Sequence, residues 1–362
     1  MANSLALTVA IHPDEHISRG DSIPSSARWW NFIEASGFRV RRVDVRSADI
    51  LDQLAGCHGF MWRWGFPSTG MGRIARRLLP VIERELQIPV FPDQHTCWHF
   101  EDKIAQAYLL KAAQIPHPKT WVWFDRKQAE DWASEADYPV VLKLATGAQS
   151  ENVRLVHNAL EARNWIDRLF SFCVINLEDA ELSTYRTLRR LATTVMKMRV
   201  LPLSTEYEFN TGYVLFQEFL PNNLYDTRVT VVGNRAFAFR RFNRPGDFRA
   251  SGSGKFDTDP EKIDEKFLRL AFLTAKKLKS QSCAIDGLYR GEDPLIAELQ
   301  YTFISSIVRA CPGHWELDGE PLNGTLNWVA GQMWPEEAQA KDFIAEIRRR
   351  YDADRGDVSL PA

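Results

Sequence analysis

The first part of this 362-residue chain alternates short apolar segments with segments of helical spacing. The predicted strands cover residues 5–11, 38–45, 59–64 and 89–91, and the predicted helices cover residues 27–36, 50–54 and 73–86. Strands that alternate with helices pair in parallel, because each helix carries the chain back to the same end of the sheet. The pattern therefore predicts a parallel α/β domain over about residues 1–95.

Composition limits the classes of protein to which the chain can belong. Hydrophobic residues make up 45% of it and charged residues 25%, which is the balance of a folded globular protein. A net charge of −2 gives no reason to expect nucleic acid or a membrane surface as a partner. The five cysteines are scattered without a paired spacing, and no apolar run approaches the roughly 18 residues that cross a bilayer. We therefore predict a cytoplasmic protein without a disulfide framework.

Two further regions follow the parallel domain. The prolines of Ile115-Pro116-His117-Pro118 predict an extended linker. Beyond residue 95 the predicted strands cover residues 121–124, 140–144, 153–156, 214–219, 228–232, 235–242, 283–289 and 294–300, and the predicted helices cover 103–113, 128–136, 266–278 and 336–351. Short turns at Gly233-Asn234 and at residues 290–293 predict antiparallel hairpins. We predict three domains, at residues 1–95, 96–220 with a helical insertion over about 160–210, and 221–362.

Oxygen-bearing side chains lie near the end of the last predicted strand. Glu298 and Gln300 are two residues apart and share a strand face, and Asp286 on the hairpin partner can lie beside them. Carboxylate and amide oxygens are ligands that Mg²⁺ takes together with substrate phosphates. The pattern predicts a metal site, and a solvated strand face is the alternative that the spacing leaves open.

A single lysine ends the apolar segment Pro139-Val140-Val141-Leu142. Lys143 is unfavourable there unless a ligand or counter-ion faces it, and a phosphate would supply that charge. Backbone N–H groups and hydroxyls of the polar loop at residues 146–152 can close over phosphate oxygens. An ordinary hairpin turn is the alternative, because this loop contains a single glycine.

Arginines are concentrated beside the candidate metal strands. The cluster consists of Arg228, Arg240, Arg241, Arg244 and Arg249, with Asp226 and Asp247 among them. A guanidinium group binds phosphate or carboxylate through two parallel hydrogen bonds. The cluster therefore predicts anion binding, with a solvated charged edge as the alternative.

The order of these motifs resembles that of the ATP-grasp superfamily over about residues 90–312. The similar stretches are Asp102-Lys103 with Gln114-Ile115-Pro116-His117-Pro118-Lys119-Thr120, Tyr138-Pro139-Val140-Val141-Leu142-Lys143, Gln217-Glu218-Phe219-Leu220 and Glu298-Leu299-Gln300. RimK-type ligases are the subgroup that the chain most resembles, with the glutathione synthetases nearby. That likeness lies in Asp226-Thr227-Arg228-Val229, Gly246-Asp247-Phe248-Arg249-Ala250-Ser251 and Ala284-Ile285-Asp286-Gly287-Leu288.

The resemblance implies a role for each matching residue. Lys103 and Lys143 would hold the ATP phosphates. The remaining nucleotide-binding set would be Gln149 and Ser150 in a cover loop, Gln217, Glu218, Phe219 and Leu220 at the adenine, Asp226 at the ribose, and Arg240. Arg249 and Arg228 would be catalytic, with Arg249 over the γ-phosphate and the acyl group. Asp286, Glu298 and Gln300 would bind one or two Mg²⁺ ions, for which Mn²⁺ can substitute.

The resemblance also implies a fold and an activity. The fold would be α/β with α+β character: an N-terminal parallel pre-ATP-grasp domain followed by two α+β subdomains that clasp ATP. The activity would be an ATP-dependent carboxylate-amine ligase that forms an amide or peptide bond through an acyl phosphate and releases ADP and phosphate. Its partners would be small-molecule or peptide carboxylates and amines, with a homo-oligomer allowed. An ATP-grasp small-molecule kinase and a non-catalytic nucleotide-binding regulatory protein are the alternatives.

Several positions depart from the family's pattern. Gln300 stands where the family usually has Asn, Ser251 stands where the subgroup usually has Asn, and residues 301–303 lack the family's "SPG" turn. These departures leave the acceptor chemistry open. In the N-terminal domain, His12 directly follows the first predicted strand and Arg63 comes after Trp62, so both could face the acceptor substrate, with a structural role as the alternative for each.

Overall fold

The N-terminal domain is the parallel sheet that the alternation of strands and helices predicts. The computed structural model describes residues 7–14, 17, 20–65, 69–147, 152–171, 174, 177, 210–250 and 252–356. The first elements are β1 (Thr8–His12), α1 (Ser25–Ala35), β2 (Arg39–Arg42), α2 (Ile50–Gln53), β3 (Gly59–Trp62), α3 (Thr69–Arg84), β4 (Val90–Phe91) and α4 (Gln94–Cys97). The strands pair in parallel in the order β2-β1-β3-β4, so the direction in which the chain winds reverses between β1 and β3.

Helices cover both faces of this sheet. On one face Phe60 packs with Leu79 of α3. On the other face Met61 packs with Ile33 of α1 and with Ile344, which belongs to the last helix of the chain. That helix was predicted within the C-terminal domain, yet its apolar side lies on the N-terminal sheet. The last helix therefore packs the C-terminal region against the N-terminal sheet.

The central region is an antiparallel sheet backed by two helices. Its elements are α5 (Lys103–Ala112), β5 (Thr120–Trp123), α6 (Arg126–Glu135), β6 (Val140–Lys143), β7 (Val153–Val156), α7 (Ala159–Ser171) and β8 (Val214–Glu218), with the strand order β5-β8-β6-β7. Leu142 and Phe216 pack against Ile166 of α7 on the covered face. Lys143 follows Leu142 and so lies on the opposite face. Helix α7 begins the predicted helical insertion, most of which lies outside the described residues.

The C-terminal region is an antiparallel sheet whose strands differ in length. Its elements are β9 (Tyr225–Val232), β10 (Arg235–Phe242), β11 (Phe256–Asp257), a 3₁₀ turn (Pro260–Lys262), α8 (Glu265–Leu278), β12 (Ser282–Arg290), β13 (Asp293–Gln300), α9 (Ser305–Arg309), β14 (Gly313–Asp318), β15 (Thr325–Ala330) and α10 (Pro335–Gly356). The strand order is β13-β12-β9-β10-β14-β15, with β11 on β10. Both predicted hairpins, β9–β10 and β12–β13, are confirmed. Strands β14 and β15 and the short helix α9 had not been predicted.

The two faces of the C-terminal sheet differ in character. One face packs Val229 and Ile285 against Phe267 of α8. A Cβ on Gly287 would lie 2.2 Å from the Phe267 ring, so a glycine is required where α8 approaches β12 most closely. The opposite face is apolar at one end, where Phe237 packs with Val308, and charged at the other end. In the part of the chain described, no helix has the length and apolar content to span a membrane.

Candidate nucleotide site

Three charged side chains lie side by side across neighbouring strands of the C-terminal sheet. Arg228 on β9 is the register partner of Asp286 on β12, and Asp286 is in turn the register partner of Glu298 on β13. Register partners on antiparallel strands point to the same face, about 5 Å apart. The hairpin thus brings together the two carboxylates that the sequence predicted to be neighbours.

An irregularity in the β12–β13 register lies next to Glu298 and affects the direction of its side chain. Asp286 pairs with Glu298, whereas the next residue, Gly287, pairs with Ile296, so Ala297 is an extra residue in β13. Such a bulge bends the strand and redirects the adjoining side chain. Gln300 donates from Nε2 to Glu298 Oε1 over 3.1 Å. These contacts fix the orientation of Glu298.

Lys103 bridges the central and C-terminal regions. It is the first residue of α5, whose N-cap Asp102 accepts a hydrogen bond from the Ala105 N–H over 2.9 Å. Lys103 Nζ donates to the Gly147 carbonyl over 2.9 Å and lies 3.4 Å from Glu298 Oε1. Gly147 has φ +127°, a conformation that favours glycine. Lys103 therefore connects the start of the polar loop to the candidate metal carboxylate.

Lys143 lies between the two sheets. Burial of its ammonium group lowers the pKa of Lys143 to about 8, and the nearby Glu298 carboxylate opposes that shift while Lys103 adds to it. At pH 7 the side chain is therefore still mostly charged, in a place where charge is unfavourable. An anion bound here would relieve that penalty.

Two arginines and two aspartates form a closed network beside Glu298. Arg228 bonds to both oxygens of Asp286, from Nε over 2.6 Å and from a terminal nitrogen over 2.7 Å. Arg241 bonds to both oxygens of Asp226 over 2.7 and 2.6 Å and also to Asp286 over 2.7 Å. Burial alone would raise the pKa of Asp286, but the two guanidinium groups outweigh it and hold that pKa below its ordinary value. Asp286 is thus firmly ionised.

The chain is similar in sequence to a curated protein over part of its length. No protein-family profile matches the chain. It is 28% identical over 206 residues to the alpha-aminoadipate–LysW ligase LysX of Saccharolobus solfataricus, covering 57% of this chain and 60% of that protein. The chain thus matches less than two thirds of the length of this curated relative.

Two solved structures resemble the whole chain. A RimK domain ATP-grasp protein from Sphaerobacter thermophilus gives a TM-score of 0.52 at 18% identity, covering 93% of this chain and 99% of that one. A D-alanine–D-alanine ligase from Bacillus anthracis, complexed with ATP, gives 0.53 at 12% identity, covering 97% and 100%. The chain has the ATP-grasp fold. At these identities the likeness extends to the fold, and the α/β architecture expected from the motifs is confirmed.

The predicted adenine segment lies at the end of β8. Gln217 donates from its side chain to Thr120 Oγ1 over 3.0 Å, and the Glu218 N–H donates to the Lys119 carbonyl over 2.8 Å. Glu218 also pairs with Arg290 on the C-terminal sheet, over 3.0 Å. Phe219 and Leu220 follow directly. This segment therefore joins the two sheets, and its role at the adenine stays a prediction.

Arg249 crosses between the two sheets of the fold. It forms a two-pronged pair with Asp247, from Nε to Oδ1 over 3.0 Å and from a terminal nitrogen to Oδ2 over 2.7 Å, and it donates to the Val153 carbonyl of β7 over 3.3 Å. Burial raises the pKa of Asp247, and Arg249 outweighs it, so the pKa is lowered overall. Gln149 and Ser150, the predicted cover-loop residues, lie outside the described residues.

Adjacent arginines on β10 point in opposite directions. Arg240 pairs with Asp257 over 2.5 Å and lies over the Tyr225 ring at 4.7 Å, whereas Arg241 belongs to the network with Asp286. The structure therefore places Arg240 away from Glu298 and Asp286, and it brings beside them Arg241, which the sequence indicated only within the arginine cluster and to which the resemblance gave no role. Residue alternation could have found Arg241, because Asp226 faces it in the β9–β10 register. Asp226 itself, predicted at the ribose, is engaged by Arg241.

Asp286, Glu298 and Gln300 carry the kinds of donor atom that a magnesium site uses. All three offer oxygen, which suits Mg²⁺, but only two carboxylates are present. No group of three or more His, Cys, Asp or Glu side chains that could hold a metal occurs among the described residues. The donor set therefore fits a Mg²⁺ ion whose remaining ligands come from phosphate.

His12 and Arg63 have structural partners in the N-terminal domain. His12 is 3% exposed, lies 3.1 Å through Nδ1 from the Val43 carbonyl, and packs edge-on against Trp62. Arg63 donates to the Phe303 carbonyl over 3.0 Å and lies 3.6 Å from Asp14. Arg63 thus connects the N-terminal sheet to the segment after β13, while neither contact identifies an acceptor substrate.

Proposed function

We propose that this chain is an ATP-dependent ligase that joins a carboxylate to an amine. The observation that carries the proposal is the convergence of Lys103, Lys143 and Glu298 between two facing sheets, with Asp286 held beside Glu298. A lysine from helix α5, a lysine from strand β6 and carboxylates from the C-terminal sheet are the groups that a nucleotide triphosphate with its metal ion requires. The ligase named LysX among the curated proteins and the ATP complex of the D-alanine–D-alanine ligase support this proposal.

Different residues would bind the phosphates, the adenine and the metal ion during phosphoryl transfer. Lys103 and Lys143 would hold the phosphate oxygens, and the backbone of Phe219 and Leu220 would meet the adenine edge. Asp286, Glu298 and Gln300 would hold Mg²⁺, which when bound draws charge from the phosphates. The γ-phosphorus then bonds to a carboxylate oxygen of the acid as its bond to the ADP oxygen breaks, giving an acyl phosphate and ADP.

The second step forms the amide. The amine nitrogen bonds to the acyl carbon, a tetrahedral oxyanion forms, and phosphate leaves as the C=O bond is restored and the nitrogen loses a proton. Guanidinium groups stabilise such an oxyanion because they carry donors that are already oriented. Arg228 and Arg249 are the side chains for which we propose this role.

A hydroxylamine trap tests the proposal without knowledge of the natural amine. Purified protein is incubated with ATP, Mg²⁺, pools of amino acids, dipeptides or sugar acids, and hydroxylamine, while ADP and hydroxamate are both measured. A ligase releases ADP in step with hydroxamate, and Glu298→Ala and Lys143→Ala abolish both. A stable phosphoester without hydroxamate would instead identify a kinase. Tight ATP binding without turnover in any pool would identify a nucleotide-binding regulatory protein.

A cytoplasmic location is part of the proposal. The described cysteines, Cys57, Cys97, Cys283 and Cys311, are all free and buried. Thiols that remain unpaired suit a reducing compartment.

A further inference from the structure

Asp286 presents a conflict between its proposed ligand and its observed partners. It is proposed to bind Mg²⁺, yet both of its carboxylate oxygens accept hydrogen bonds from arginine side chains. A two-pronged guanidinium pair is among the strongest interactions available to a carboxylate. A divalent cation and Arg228 therefore compete for the same two oxygens.

The two arginines around Asp286 are held differently. Arg241 bonds to two carboxylates and its side chain is 7% exposed, so its departure would leave both Asp226 and Asp286 buried with less compensation. Arg228 pairs with Asp286, its side chain is 16% exposed, and Asp286 would keep Arg241 if Arg228 moved away. Arg228 is thus the partner that can be exchanged, and Arg241 is the partner that stays.

The charge of the site decides what can trigger the exchange. Arg228, Arg241, Lys103 and Lys143 bring four cationic groups, against the three carboxylates of Asp226, Asp286 and Glu298. A divalent cation that arrives alone meets this positive excess and is repelled by it. A polyphosphate meets the same excess and is attracted, and it offers Arg228 oxygens with which a second two-pronged pair can form.

We propose that Arg228 is an exchangeable counter-ion, which occupies Asp286 until a polyphosphate arrives and then transfers to the phosphate. Arg241 is the positioning residue that keeps Asp286 aimed beside Glu298 before and after the exchange. The divalent cation accordingly enters with the polyphosphate and not before it. This inference rests on the proposed function in one respect, namely that the polyphosphate is that of ATP.

The test measures Mn²⁺ binding by water-proton relaxation, which distinguishes Mn²⁺ on the slowly tumbling protein from Mn²⁺ on a free nucleotide. The wild-type protein, Arg228→Gln and Arg228→Lys are titrated with Mn²⁺ alone and then with Mn²⁺ plus AMPPNP. Arg235→Gln is the matched control. Arg235 has the same 16% side-chain exposure as Arg228 and pairs with Asp342 over 2.9 Å at the other end of β10. Circular dichroism confirms that each variant is folded.

Wild type and Arg235→Gln are expected to bind Mn²⁺ at least tenfold more tightly with AMPPNP than without it. Arg228→Gln is expected to bind Mn²⁺ alone at least tenfold more tightly than wild type. Arg228→Lys, which keeps the charge but loses the two-pronged geometry, is expected to fall between them. This last variant keeps the inference testable if Arg228→Gln does not fold.

Two results would overturn the inference while the proposed function stands. One is wild-type protein that binds AMPPNP but binds Mn²⁺ equally well without it. The other is an Arg228 variant, glutamine or lysine, that folds and binds Mn²⁺ alone no more tightly than Arg235→Gln. Folded wild-type protein that fails to bind AMPPNP at all, by calorimetry without metal and with it, would overturn both the inference and the proposed function.

Discussion

One face of the C-terminal sheet combines two regions that share the same strands but differ in what covers them. At one end Phe237 on β10 is 1% exposed and packs with Val308 of α9 and Ala338 of α10. At the other end Arg241 on the same strand bonds to Asp226 and Asp286. The apolar end is covered by the chain's own helices, whereas the charged end faces Lys103 and Lys143 of the central region. Well-packed apolar groups stabilise such a surface at least as well as buried ion pairs do, so stability alone does not require the charged end, which supports the proposal of a ligand site there.

Substitution of Arg241 is expected to have the largest effect at the charged end of this face. Arg241→Gln leaves Asp226 and Asp286 without their shared counter-ion, and we expect the free energy of unfolding to fall by about 3–5 kcal/mol. Denaturant unfolding followed by circular dichroism measures the change. Arg235→Gln, whose partner Asp342 is 38% exposed, should lose less than about 1 kcal/mol. Equal losses in the two variants would contradict the account of a buried network.

Truncation of Phe237 tests the packing at the apolar end of the same face. Phe237→Ala opens a cavity, and we expect a loss of about 3 kcal/mol, near the lower limit for such changes, because the His314 ring at 5.1 Å can move into the space. The same unfolding measurement applies, with Trp328→Ala as a control on a side chain that is 40% exposed. Under conditions where Phe237→Ala remains folded, its AMPPNP affinity should match wild type, since no ligand is proposed at this end. A large loss of AMPPNP affinity in the folded variant would contradict the division of the face.

Titration of Lys143 gives a smaller effect that is confined to the charged end. Burial lowers the pKa of Lys143 to about 8, so the protonated form that binds phosphate predominates below pH 8 and disappears above it. We expect AMPPNP affinity to fall as pH rises above about 8, by up to about tenfold per pH unit. Calorimetry from pH 6.5 to 9.5 measures the profile. Lys143→Arg keeps its charge throughout and should lack this fall, so identical profiles would refute the role of Lys143.

Substitution of Arg240 is expected to have a smaller effect on stability than substitution of its neighbour Arg241. Its hydrogen bond, together with those from Asp259 and Lys262, lowers the pKa of Asp257 to about 2. Because the pKa of Asp257 is lower in the folded protein than its ordinary value, the ion pair stabilises the fold at neutral pH. That contribution is lost as the pH falls towards 2. Arg240→Gln should cost about 1–2 kcal/mol at pH 7, less than Arg241→Gln because Asp257 keeps Lys262 as a partner, and the cost should be smaller at pH 2. A cost as large as that of Arg241→Gln would mean that alternation along β10 does not separate the two side chains.

Local patterns in the sequence were sufficient to predict most of the fold. Strand and helix alternation predicted the N-terminal parallel sheet, and the turns at Gly233-Asn234 and at residues 290–293 predicted the hairpins that bring Asp286 beside Glu298. Strands β14 and β15 were not predicted, although each is a six-residue segment with apolar residues at alternate positions, Trp315 and Leu317 in β14 and Leu326 and Trp328 in β15. The docking of α10 on the N-terminal sheet depends on contacts between residues far apart in the chain, which a local pattern cannot show.

The site was predicted in its residue types more fully than in its partners. Strand position and charge predicted Lys143, Asp286 and Glu298, the motif order added Lys103, and the structure brings the four side chains together. The arginine cluster contained both Arg240 and Arg241, and the resemblance gave a nucleotide role to Arg240 alone; which of the two faces the site follows only from the register with Asp226. The engagement of Asp286 by two guanidinium groups likewise depends on register across three strands.

Calorimetric titration with AMPPNP, with and without Mg²⁺, tests the central claim most directly. The experiment uses wild-type protein, Glu298→Ala and Lys143→Ala, all shown to be folded. The account predicts that wild type binds AMPPNP more tightly with Mg²⁺, that Glu298→Ala loses the Mg²⁺ dependence, and that Lys143→Ala binds at least tenfold more weakly in both conditions. Absence of AMPPNP binding by folded wild-type protein, or variants that bind as wild type does, would contradict a nucleotide site between these two sheets.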